Sequence, residues 1–533
     1  MASFKQLFLK CHDASVFAEK NNHALLQKIF YDDYHCEQIL SQDQYFIIGE
    51  KGTGKTIIAQ YLSRIRTDKN CSILDFSTID FDTFRRLHEA GHLKFIQADQ
   101  LWQVLLLVIA AEAVVRAENG VLSFGRFKRL KELIDEFYDK RFVPEFPVAV
   151  QLIERIDQLE KLSNTYIGEK GGGKTTEHVR NEQFANSPLN SILRNLIDTF
   201  GETRVSSDHV IFVDKIDVKP DDIEFDKFIQ GLRSFARAAL YLNENVFAKM
   251  KGTKRIKFVL LVRPDIFDRL NLQNQSARAS DNSVVLNWDT TYEHHRTSTI
   301  FMLTDQFIGK QSGIDFGRGQ AWDYFIKRDV YHFEKKDRPA QNMAFREFLR
   351  LSWFRPRDII RALHICQQRP ECAEKLTREV FERSFKDFSE YLFGEVKDFS
   401  RFYFSDETFA LVERFFSEVQ TIDDLDYDSF LRIHEIFLRK ISNGPTQKAI
   451  DARIADPDEF LQILYSSNIV CWRAENDFGG VDDHWAFRER SATQLEPKVG
   501  LYCKYGVHYG LRRALRLNRS LVRAVSDSNA PVE

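Results

Sequence analysis

One short stretch constrains the fold of this chain more than any other. Residues 49–56 read Gly-Glu-Lys-Gly-Thr-Gly-Lys-Thr and match the pattern G-x-x-x-x-G-K-[ST] of a phosphate-cradling P-loop. The apolar run at residues 45–48 predicts a buried strand before this glycine loop. A helix is predicted after the loop by apolar residues at helical spacing: Ile57, Ile58, Tyr61, Leu62 and Ile65. When a strand, a glycine loop and a helix follow one another, the backbone N–H groups of the loop and the N-terminus of the helix can surround one anion.

The motif assigns a role to each residue of the glycine loop. Gly49, Gly52 and Gly54 let backbone N–H groups curl around a phosphate without a Cβ in the way. Lys55 is expected to reach the β- and γ-phosphates, and Thr56 is expected to ligate Mg²⁺. The alternative is a glycine turn that only joins a strand to a helix. The other residues predicted to bind nucleotide here are Glu50, Lys51, Thr53 and Ile57.

Composition indicates a soluble, folded protein of ordinary charge. The 533 residues allow about two to four domains of ~100–200 residues each. The net charge of −3 predicts no particular partner. Seven scattered cysteines without C-x-x-C spacing argue against a disulfide framework and a zinc site, and they favour a reducing cytoplasm. The most apolar stretch, residues 101–115, is too short to span a bilayer and predicts a buried helix. The first residues lack the apolar core of a signal peptide.

The predicted fold class is α/β. Further strands are expected at residues 71–76, 210–214, 255–262 and 284–286, and their alternation with helices predicts a mostly parallel sheet in a P-loop NTPase core. Changes of pattern divide the chain into an N-terminal helical segment (1–44), the nucleotide-binding core (45–82 and 201–342), a long helical insertion with a flexible loop (83–200), a helical lid (343–398), a winged-helix-like domain (399–510) and a basic C-terminal helix and tail (511–533).

The winged-helix prediction rests on the element order in the C-terminal part. Residues 408–419, 427–438 and 456–467 have the pattern of amphipathic helices. Residues 469–474 and 485–490 have the pattern of two strands joined by a glycine-containing loop. Three helices followed by a hairpin are typical of a winged-helix domain.

A second stretch, residues 168–175, also satisfies the phosphate-loop pattern. No apolar strand precedes it, and no apolar helix face follows it. Nothing would then hold the loop or direct a helix dipole at an anion. We predict a flexible loop that carries Lys174, not a second phosphate site.

Asp214 ends an apolar run and is the predicted Walker B carboxylate, which would hold Mg²⁺ opposite Thr56. The alternative is an acidic residue that begins a loop. Many P-loop ATPases place a Glu directly after this Asp to orient the attacking water, but this chain has Lys215 there. The next carboxylate, Asp217, is the catalytic candidate, although its distance along the chain requires a particular backbone path. We therefore expect hydrolysis that is slow or that depends on a partner.

Two arginines are candidates for contact with the γ-phosphate. Arg263 follows the run 255–262, and its fork of donors suits phosphate oxygens at the carboxyl edge of an open sheet. An ion pair with Asp265 is the alternative. Pro356 and Arg357 open a predicted helix, and an arginine in that position often senses nucleotide in AAA-like ATPases, unless it is a surface arginine. The alternates for this role are Arg355 and Arg361.

A basic stripe is predicted near the C-terminus. The arginines at 512, 516, 519 and 523 would form one face of a helix that could grip a nucleic-acid backbone, or a solvated basic face. The histidine at 484 and the pair at 294–295 have no companions at metal-ligand spacing, and we interpret them as structural.

Several stretches together characterise a family: residues 49–56, 213–220, 260–267, 272–275, 281–284, 287–292 and 355–358. The chain resembles the FunZ-type P-loop ATPases of bacteria and their prophages, over about residues 30–515. Residues 263–292 are more specific than the glycine loop, which many superfamilies share. The resemblance implies a STAND- or AAA-like ATPase core and a place in phage exclusion or abortive infection. It supplies no effector chemistry, and no nuclease, protease or cyclase constellation is recognisable in the sequence.

Three functions remain open at this point. The first is a cytoplasmic switch in anti-phage defence that uses ATP and Mg²⁺ and works as a homo-oligomer or with an effector protein, without a membrane. The second is a DNA-binding, DNA-remodelling AAA-like ATPase. The third is a nucleotide-bound scaffold that never hydrolyses, because Lys215 replaces the expected Glu. ATP is preferred over GTP, because the sequence lacks a guanine-reading N-K-x-D-like pattern.

Overall fold

The computed structural model describes residues 2–10, 14–32, 35–66, 68–78, 95–118, 127–137, 188–219, 223, 225–327, 344–401, 404–418, 423–442, 452–475 and 480–517. The second glycine stretch, residues 168–175, lies outside these residues, as do Arg519 and Arg523. The same holds for much of the predicted insertion. The predictions on those residues therefore stay predictions.

The described strands belong to two sheets. They are β1 (Phe46–Ile48), β2 (Asn70–Asp75), β3 (His209–Asp214), β4 (Ile256–Val262), β5 (Ser283–Val285), β6 (Asp423–Asp426), β7 (Val470–Glu475), β8 (Val481–His484) and β9 (Lys504–Val507).

Helices make up most of the remaining described residues. The α-helices are α1 (His23–Ile29), α2 (His35–Leu40), α3 (Lys55–Arg64), α4 (Phe95–Ala117), α5 (Lys128–Phe137), α6 (Pro188–Glu202), α7 (Phe225–Tyr241), α8 (Pro264–Leu270), α9 (Gln275–Asp281), α10 (Thr299–Gln311), α11 (Gln320–Phe325), α12 (Ala344–Leu351), α13 (Pro356–Gln367), α14 (Arg378–Ser400), α15 (Asp406–Glu418), α16 (Tyr427–Ser442), α17 (Ala452–Ala455), α18 (Pro457–Ser466) and α19 (Ala486–Glu489).

The chain forms two compact units. The parallel-sheet unit consists of Tyr34–Glu50 and Lys55–Val285, and the C-terminal unit consists of Met1–Asp33, Lys51–Gly54 and Leu286–Glu533. The glycine loop therefore contributes residues to both. The finer division of the chain into six segments stays a prediction.

The parallel-sheet unit contains a five-stranded, all-parallel sheet in the order β2-β3-β4-β1-β5. Each strand was predicted from an apolar run, and the α/β class and the parallel sheet are confirmed. Strands β3 and β4 are buried along their whole length, as parallel strands covered on both faces must be. Because all strands run in one direction, their carboxyl ends meet at a single edge of the sheet.

Helix α4 is the buried helix predicted at residues 101–115. It packs against α6 and α7, and its Trp102 ring meets Phe235 edge-to-face with centroids 5.2 Å apart. Among the described helices it alone is long and apolar enough to cross a membrane, and 61% of its apolar window is buried in the fold. This burial is typical of a core helix in a soluble protein.

Glu118 fixes the end of α4 to the amino end of β3. Its buried carboxylate accepts hydrogen bonds from the Ser206 backbone N–H (2.8 Å) and from His209 Nε2 (2.9 Å). Burial lowers the pKa of His209 and so favours a neutral imidazole that donates to the carboxylate. The buried Glu118 carboxylate at the amino end of β3 therefore has hydrogen-bond donors, as buried polar groups generally do.

We expect Glu118→Ala to lower the free energy of unfolding by about 1–3 kcal/mol, because it leaves buried donors without an acceptor. Glu132→Ala is the control, since Glu132 is 58% exposed and pairs only with Lys128 at 3.7 Å, a contact worth about 0.5 kcal/mol. Urea unfolding followed by tryptophan fluorescence measures both. Equal midpoints for the two variants would show that the Glu118 network does not hold α4.

The C-terminal unit contains a four-stranded antiparallel sheet in the order β6-β9-β7-β8. The helices predicted at 408–419, 427–438 and 456–467 are present as α15, α16 and α18. Strands β6 and β9 were not predicted, because their Asp and Gly residues are depleted in strands. The winged-helix-like assignment stays a prediction.

The strand predicted at residues 485–490 is wrong. The partner of β7 is β8, and the helix α19 follows it at once. The side-chain oxygen of Asn468 accepts a hydrogen bond from the Phe487 backbone N–H at 3.0 Å. This contact satisfies an N–H group that a strand would have to direct at another strand.

The C-terminal helix with an arginine stripe is also wrong where the structure describes it. Residues 512–516 form turns, and Arg516 has a left-handed φ of 57°. The Leu517 N–H donates to the Arg512 carbonyl at 2.9 Å, which closes the end as a Schellman motif does. Arg512 and Arg516 therefore do not lie on one helix face.

Candidate functional site

The glycine loop joins β1 to α3 as the sequence predicted. The Gly49 N–H donates to the Val262 carbonyl of β4 at 3.1 Å, so the loop leaves the carboxyl edge of the sheet. Gly52 and Gly54 have φ values of +92° and +109°. Residues with a Cβ rarely adopt such backbone conformations, which gives both glycines a conformational reason to be there.

Lys55, Thr56 and Asp214 lie together in the parallel-sheet unit. The Lys55 ammonium donates to the carbonyls of Gly49 (2.7 Å) and Glu50 (3.1 Å). Thr56 and Lys55 both lie close enough to the Asp214 carboxylate to lower its pKa, Thr56 through its hydroxyl and Lys55 through its charge. Asp214 therefore lies beside Lys55 and Thr56, although it is far from them in sequence.

Asp214 is 6% exposed. Burial raises the pKa of this carboxyl, and the nearby Thr56 hydroxyl and the hydrogen bond from the Lys215 backbone N–H (2.9 Å) oppose the rise. A buried carboxylate beside a hydroxyl offers oxygen ligands only, which is the donor set that Mg²⁺ prefers. The residues present therefore fit a Mg²⁺ ion held by Thr56 and Asp214.

Lys215 and Asp217 follow Asp214 at the same edge. Lys215 has a left-handed φ of 60°, and its ammonium pairs with Asp75 at 2.6 Å. Asp217 is half-buried in a turn, and its charge raises the pKa of Asp214. Asp217 therefore lies near the predicted metal ligand, and its catalytic role stays a prediction.

Asp75 was missed by the sequence reasoning. It ends β2, and its register partner in β3 is Asp214. Burial raises the pKa of Asp75, but hydrogen bonds from Lys215 and Ser77 outweigh burial and lower the pKa overall. The sequence signal was weak, because Asp75 lies within the run predicted as a strand at 71–76 and is followed by the apolar Phe76.

Arg263 takes the ion-pair alternative. Its Nε and Nη2 donate to the two carboxylate oxygens of Asp265 at 3.0 and 2.6 Å, and both residues are buried. Pro264 opens α8 directly after Arg263, so the pair closes the first turn of that helix. A contact between Arg263 and a phosphate stays a prediction.

Residues Lys51–Gly54 are bonded within the C-terminal unit. The carbonyls of Lys51, Gly52 and Thr53 each accept a hydrogen bond. The respective donors are Arg355 Nη1 (2.8 Å), the Arg357 backbone N–H (3.3 Å) and Trp288 Nε1 (2.8 Å). Three consecutive carbonyls of the loop thus accept hydrogen bonds from residues of the stretches 287–292 and 355–358, which are among those that carry the family resemblance.

The three lid arginines have different surroundings. Arg355 is buried and forms a bidentate ion pair with Asp358 (2.9 and 3.0 Å). Arg357 pairs with Glu395, and its Nε is buried without a hydrogen-bond partner among the described residues. Arg361 contacts His364 at 3.2 Å. The Nε atoms of Arg357 and Arg361 are both buried without a partner among the described residues, and which of the three arginines senses nucleotide stays a prediction.

Glu395 on α14 lies between two cations. Besides Arg357, its carboxylate is 3.5 Å from the Lys51 ammonium, which also pairs with Asp398 at 2.5 Å. Ile57 is half-buried on α3. Lys51 therefore has two carboxylate partners, which the sequence motif alone did not predict.

No family model and no curated protein matches the chain. The resemblance to FunZ-type ATPases therefore rests on its motifs and stays a prediction.

We expect Gly52→Ala to destabilise the protein more than Gly252→Ala. Both glycines have φ near +100°, so either substitution costs about 1–2 kcal/mol in backbone strain. A Cβ on Gly52 would lie 2.9 Å from Arg357 Nε and 3.1 Å from Arg357 Cβ, whereas a Cβ on Gly252 would meet nothing within 4 Å. The difference between the two melting temperatures isolates the contact with Arg357, and equal losses would count against that contact.

Proposed function

We propose that this protein is a P-loop ATPase that binds and hydrolyses ATP with Mg²⁺ and acts as a molecular switch in bacterial anti-phage defence. The observation that supports the ATPase most is the proximity of Thr56 and Lys55 to the Asp214 carboxylate, whose pKa both of them lower. It brings the phosphate-loop pattern and the Walker B candidate to one edge of a parallel sheet. The defence role is supported by the motif resemblance alone.

Each residue of this group has a distinct part in binding the triphosphate. Backbone N–H groups of the glycine loop would surround the phosphate chain, and the Lys55 ammonium would exchange its contacts with two loop carbonyls for phosphate oxygens. Thr56 and Asp214 would hold Mg²⁺, which neutralises charge on the β- and γ-phosphates. Slow or partner-activated turnover follows from Lys215, because an ammonium accepts no hydrogen bond from water.

The contacts of the loop carbonyls support the proposed switch. Residues 51–53 are hydrogen-bonded to Arg355, Arg357 and Trp288. A change in the loop backbone when nucleotide binds must therefore alter these contacts. Nucleotide would then favour one arrangement of the C-terminal unit over another, which is the requirement for a ligand-driven switch.

Lys55→Ala tests nucleotide binding. Loss of a charge-assisted hydrogen bond of about 1.5–3 kcal/mol predicts affinity for MgATP weakened roughly 10- to 100-fold, with turnover lost in parallel. Lys174→Ala is the control, since Lys174 is the lysine of the other stretch that matches the pattern. Isothermal titration with MgATP separates the two variants. An unchanged affinity in Lys55→Ala refutes the proposed site.

The same variants test the defence role. Cells that express the wild type or Lys174→Ala should reduce phage plating, and cells that express Lys55→Ala should not. Full protection by Lys55→Ala would refute an ATP-dependent mechanism. A wild type that binds ATP but protects against none of a phage panel would leave the ATPase standing and remove the defence role.

Thr56→Ala and Asp214→Asn test the metal assignment. Both remove an oxygen ligand or its charge, so half-maximal turnover should require at least about ten times more Mg²⁺. Asp208→Asn is the control at the opposite end of β3, where Asp208 pairs with Lys69 and Lys254 at 3.6 Å. An unchanged Mg²⁺ dependence in Asp214→Asn would show that this carboxylate is not a ligand.

A further inference from the structure

Glu395 places a buried carboxylate beside the glycine loop. It lies on α14, and its side chain is 10% exposed. Its Oε2 accepts a hydrogen bond from Arg357 Nη2, and its Oε1 lies 3.5 Å from the Lys51 ammonium. Lys51 belongs to the loop itself, and the Arg357 backbone N–H donates to the Gly52 carbonyl at 3.3 Å. One carboxylate thus pairs with two cations next to residues that are proposed to surround a triphosphate.

The guanidinium of Arg357 lies against Gly52. A Cβ on Gly52 would be 2.9 Å from Arg357 Nε and 3.3 Å from the guanidinium carbon. The Arg357 Nε is buried and has no acceptor among the described residues, although buried donors in folded proteins nearly always have one. Arg357 thus gives one donor of its fork to Glu395 and keeps another, beside the loop, that an anionic oxygen could accept.

Arg361 also has a buried, unpaired Nε, but its surroundings differ from those of Arg357. Its Nη1 contacts His364 Nδ1 at 3.2 Å, and its guanidinium carbon lies 5.5 Å from the centre of the Tyr391 ring. The three atoms nearest to a Cβ on Gly52 all belong to Arg357. Of these two arginines, Arg357 is therefore the one for which Glu395 and a ligand of the loop would compete.

The Glu395 carboxylate opposes an anion at the loop in two ways. It occupies a donor of Arg357 that a phosphate oxygen would otherwise accept from, and its own negative charge repels such an oxygen. Glu395 is 10% and Arg357 18% exposed, and water and salt screen a largely buried pair much less than a pair at the surface. Nucleotide must therefore outcompete a strong intramolecular partner.

We propose that Glu395 is an autoinhibitory counter-ion of the nucleotide site, which holds Arg357 in an ion pair that MgATP must break in order to bind. This inference rests on the ATPase proposed above and concerns the regulation of its site. When the triphosphate takes the Arg357 guanidinium, the Glu395 carboxylate keeps the Lys51 ammonium as its partner, so no buried charge is left unpaired. Glu395 thereby sets how tightly nucleotide binds, without a contact of its own to the phosphates.

This exchange of partners gives the proposed switch a route to the C-terminal segment. Earlier on α14, the Ser389 hydroxyl accepts a hydrogen bond from the Ala514 backbone N–H at 2.9 Å. The Phe385 ring of the same helix stacks on Tyr509 with centroids 5.4 Å apart. Loss of the pair between Glu395 and Arg357 removes a tie between α14 and α13, while these contacts to residues 509–514 remain. Helix α14 would then carry the effect of nucleotide to that segment.

The experiment measures the MgATP affinity of full-length variants by isothermal titration. Glu395→Gln removes the carboxylate charge with little change of shape, and it should tighten MgATP binding at least about fivefold, the lower end of typical couplings between sites. Asp398→Asn is the matched control. Asp398 is 45% exposed and pairs with Lys51 and Arg401, not with Arg357, so its loss should change the affinity by less than about twofold.

A double-mutant cycle shows whether Glu395 acts through Arg357. Arg357→Gln should weaken MgATP binding, and in that background Glu395→Gln should change the affinity by no more than about twofold. A fivefold gain that persists without the Arg357 guanidinium would overturn the inference, because the carboxylate would then act on the nucleotide by charge alone. An unchanged affinity in the single variant Arg357→Gln would overturn it as well.

A purely structural ion pair predicts a different result. Glu395→Gln would then lower the melting temperature and bind MgATP with the affinity of the wild type or a lower one, and either affinity overturns the inference. Should Glu395→Gln fail to fold, Glu395→Asp decides. It keeps the negative charge but withdraws it by one methylene, so it should also bind MgATP more tightly than the wild type, and an affinity no higher than that of the wild type sinks the inference.

The outcomes separate this inference from the proposed function. If the wild type binds MgATP no better than Lys55→Ala does, the proposed function fails and takes the inference with it. If the wild type binds MgATP and Glu395→Gln binds it no more tightly, only the inference is overturned, and the ATPase stands.

Discussion

Parallel pairing of four strands is the constraint on which the candidate site depends. Residues at the ends of β1, β2, β3 and β4 are brought to one edge because their strands run in the same direction in the order β2-β3-β4-β1. The glycine loop, Asp75, Asp214 and Arg263 are distant in sequence, and a change of direction in any strand would separate them. The helices α3 and α8 begin at this edge as well. Oxygen ligands, ammonium groups and helix N-termini are thereby combined where a parallel sheet binds its ligands.

Burial makes the polar contacts at this edge mutually dependent. Asp214 is 6% exposed and Lys55 is 8% exposed, and charges so far from water are tolerated only with hydrogen-bonding partners. Asp214 has the Lys215 N–H as a hydrogen-bond donor with the Thr56 hydroxyl nearby, and Lys55 has two loop carbonyls as acceptors. A triphosphate with Mg²⁺ would offer each of these groups a stronger partner, since contacts between ionised groups are about twice as strong as neutral ones. The polar groups at this edge are therefore satisfied without a ligand, and the proposed triphosphate would give them stronger partners.

Sequence patterns correctly predicted the secondary-structure elements that depend on residues close together in the chain. The five strands and the buried helix α4 followed from apolar runs, and Asp214 followed from its place at the end of such a run. Contacts between distant segments could not be read in this way. The packing of Arg357 against Gly52 and the bridge from Glu395 to Lys51 depend on tertiary structure. The strand expected at 485–490 failed for the same reason, since Asn468 caps a helical turn there. The helix expected beyond 511 failed because Arg516 adopts a left-handed conformation.

The charge balance at the sheet edge explains why a lysine is acceptable in place of glutamate. Among the described residues, Asp75, Asp214 and Asp217 are carboxylates that follow β2 and β3 at this edge, and Lys55 and Lys215 supply two ammonium groups. A Glu at 215 would leave four carboxylates with one ammonium group, and like charges so close raise each other's pKa and disfavour the ionised forms. With Asp75 already at the end of β2, the Lys215 ammonium pairs with it and lowers the pKa of the Asp75 carboxyl. The residue types at positions 215 and 75 therefore depend on each other. In related chains the two positions should be compared together.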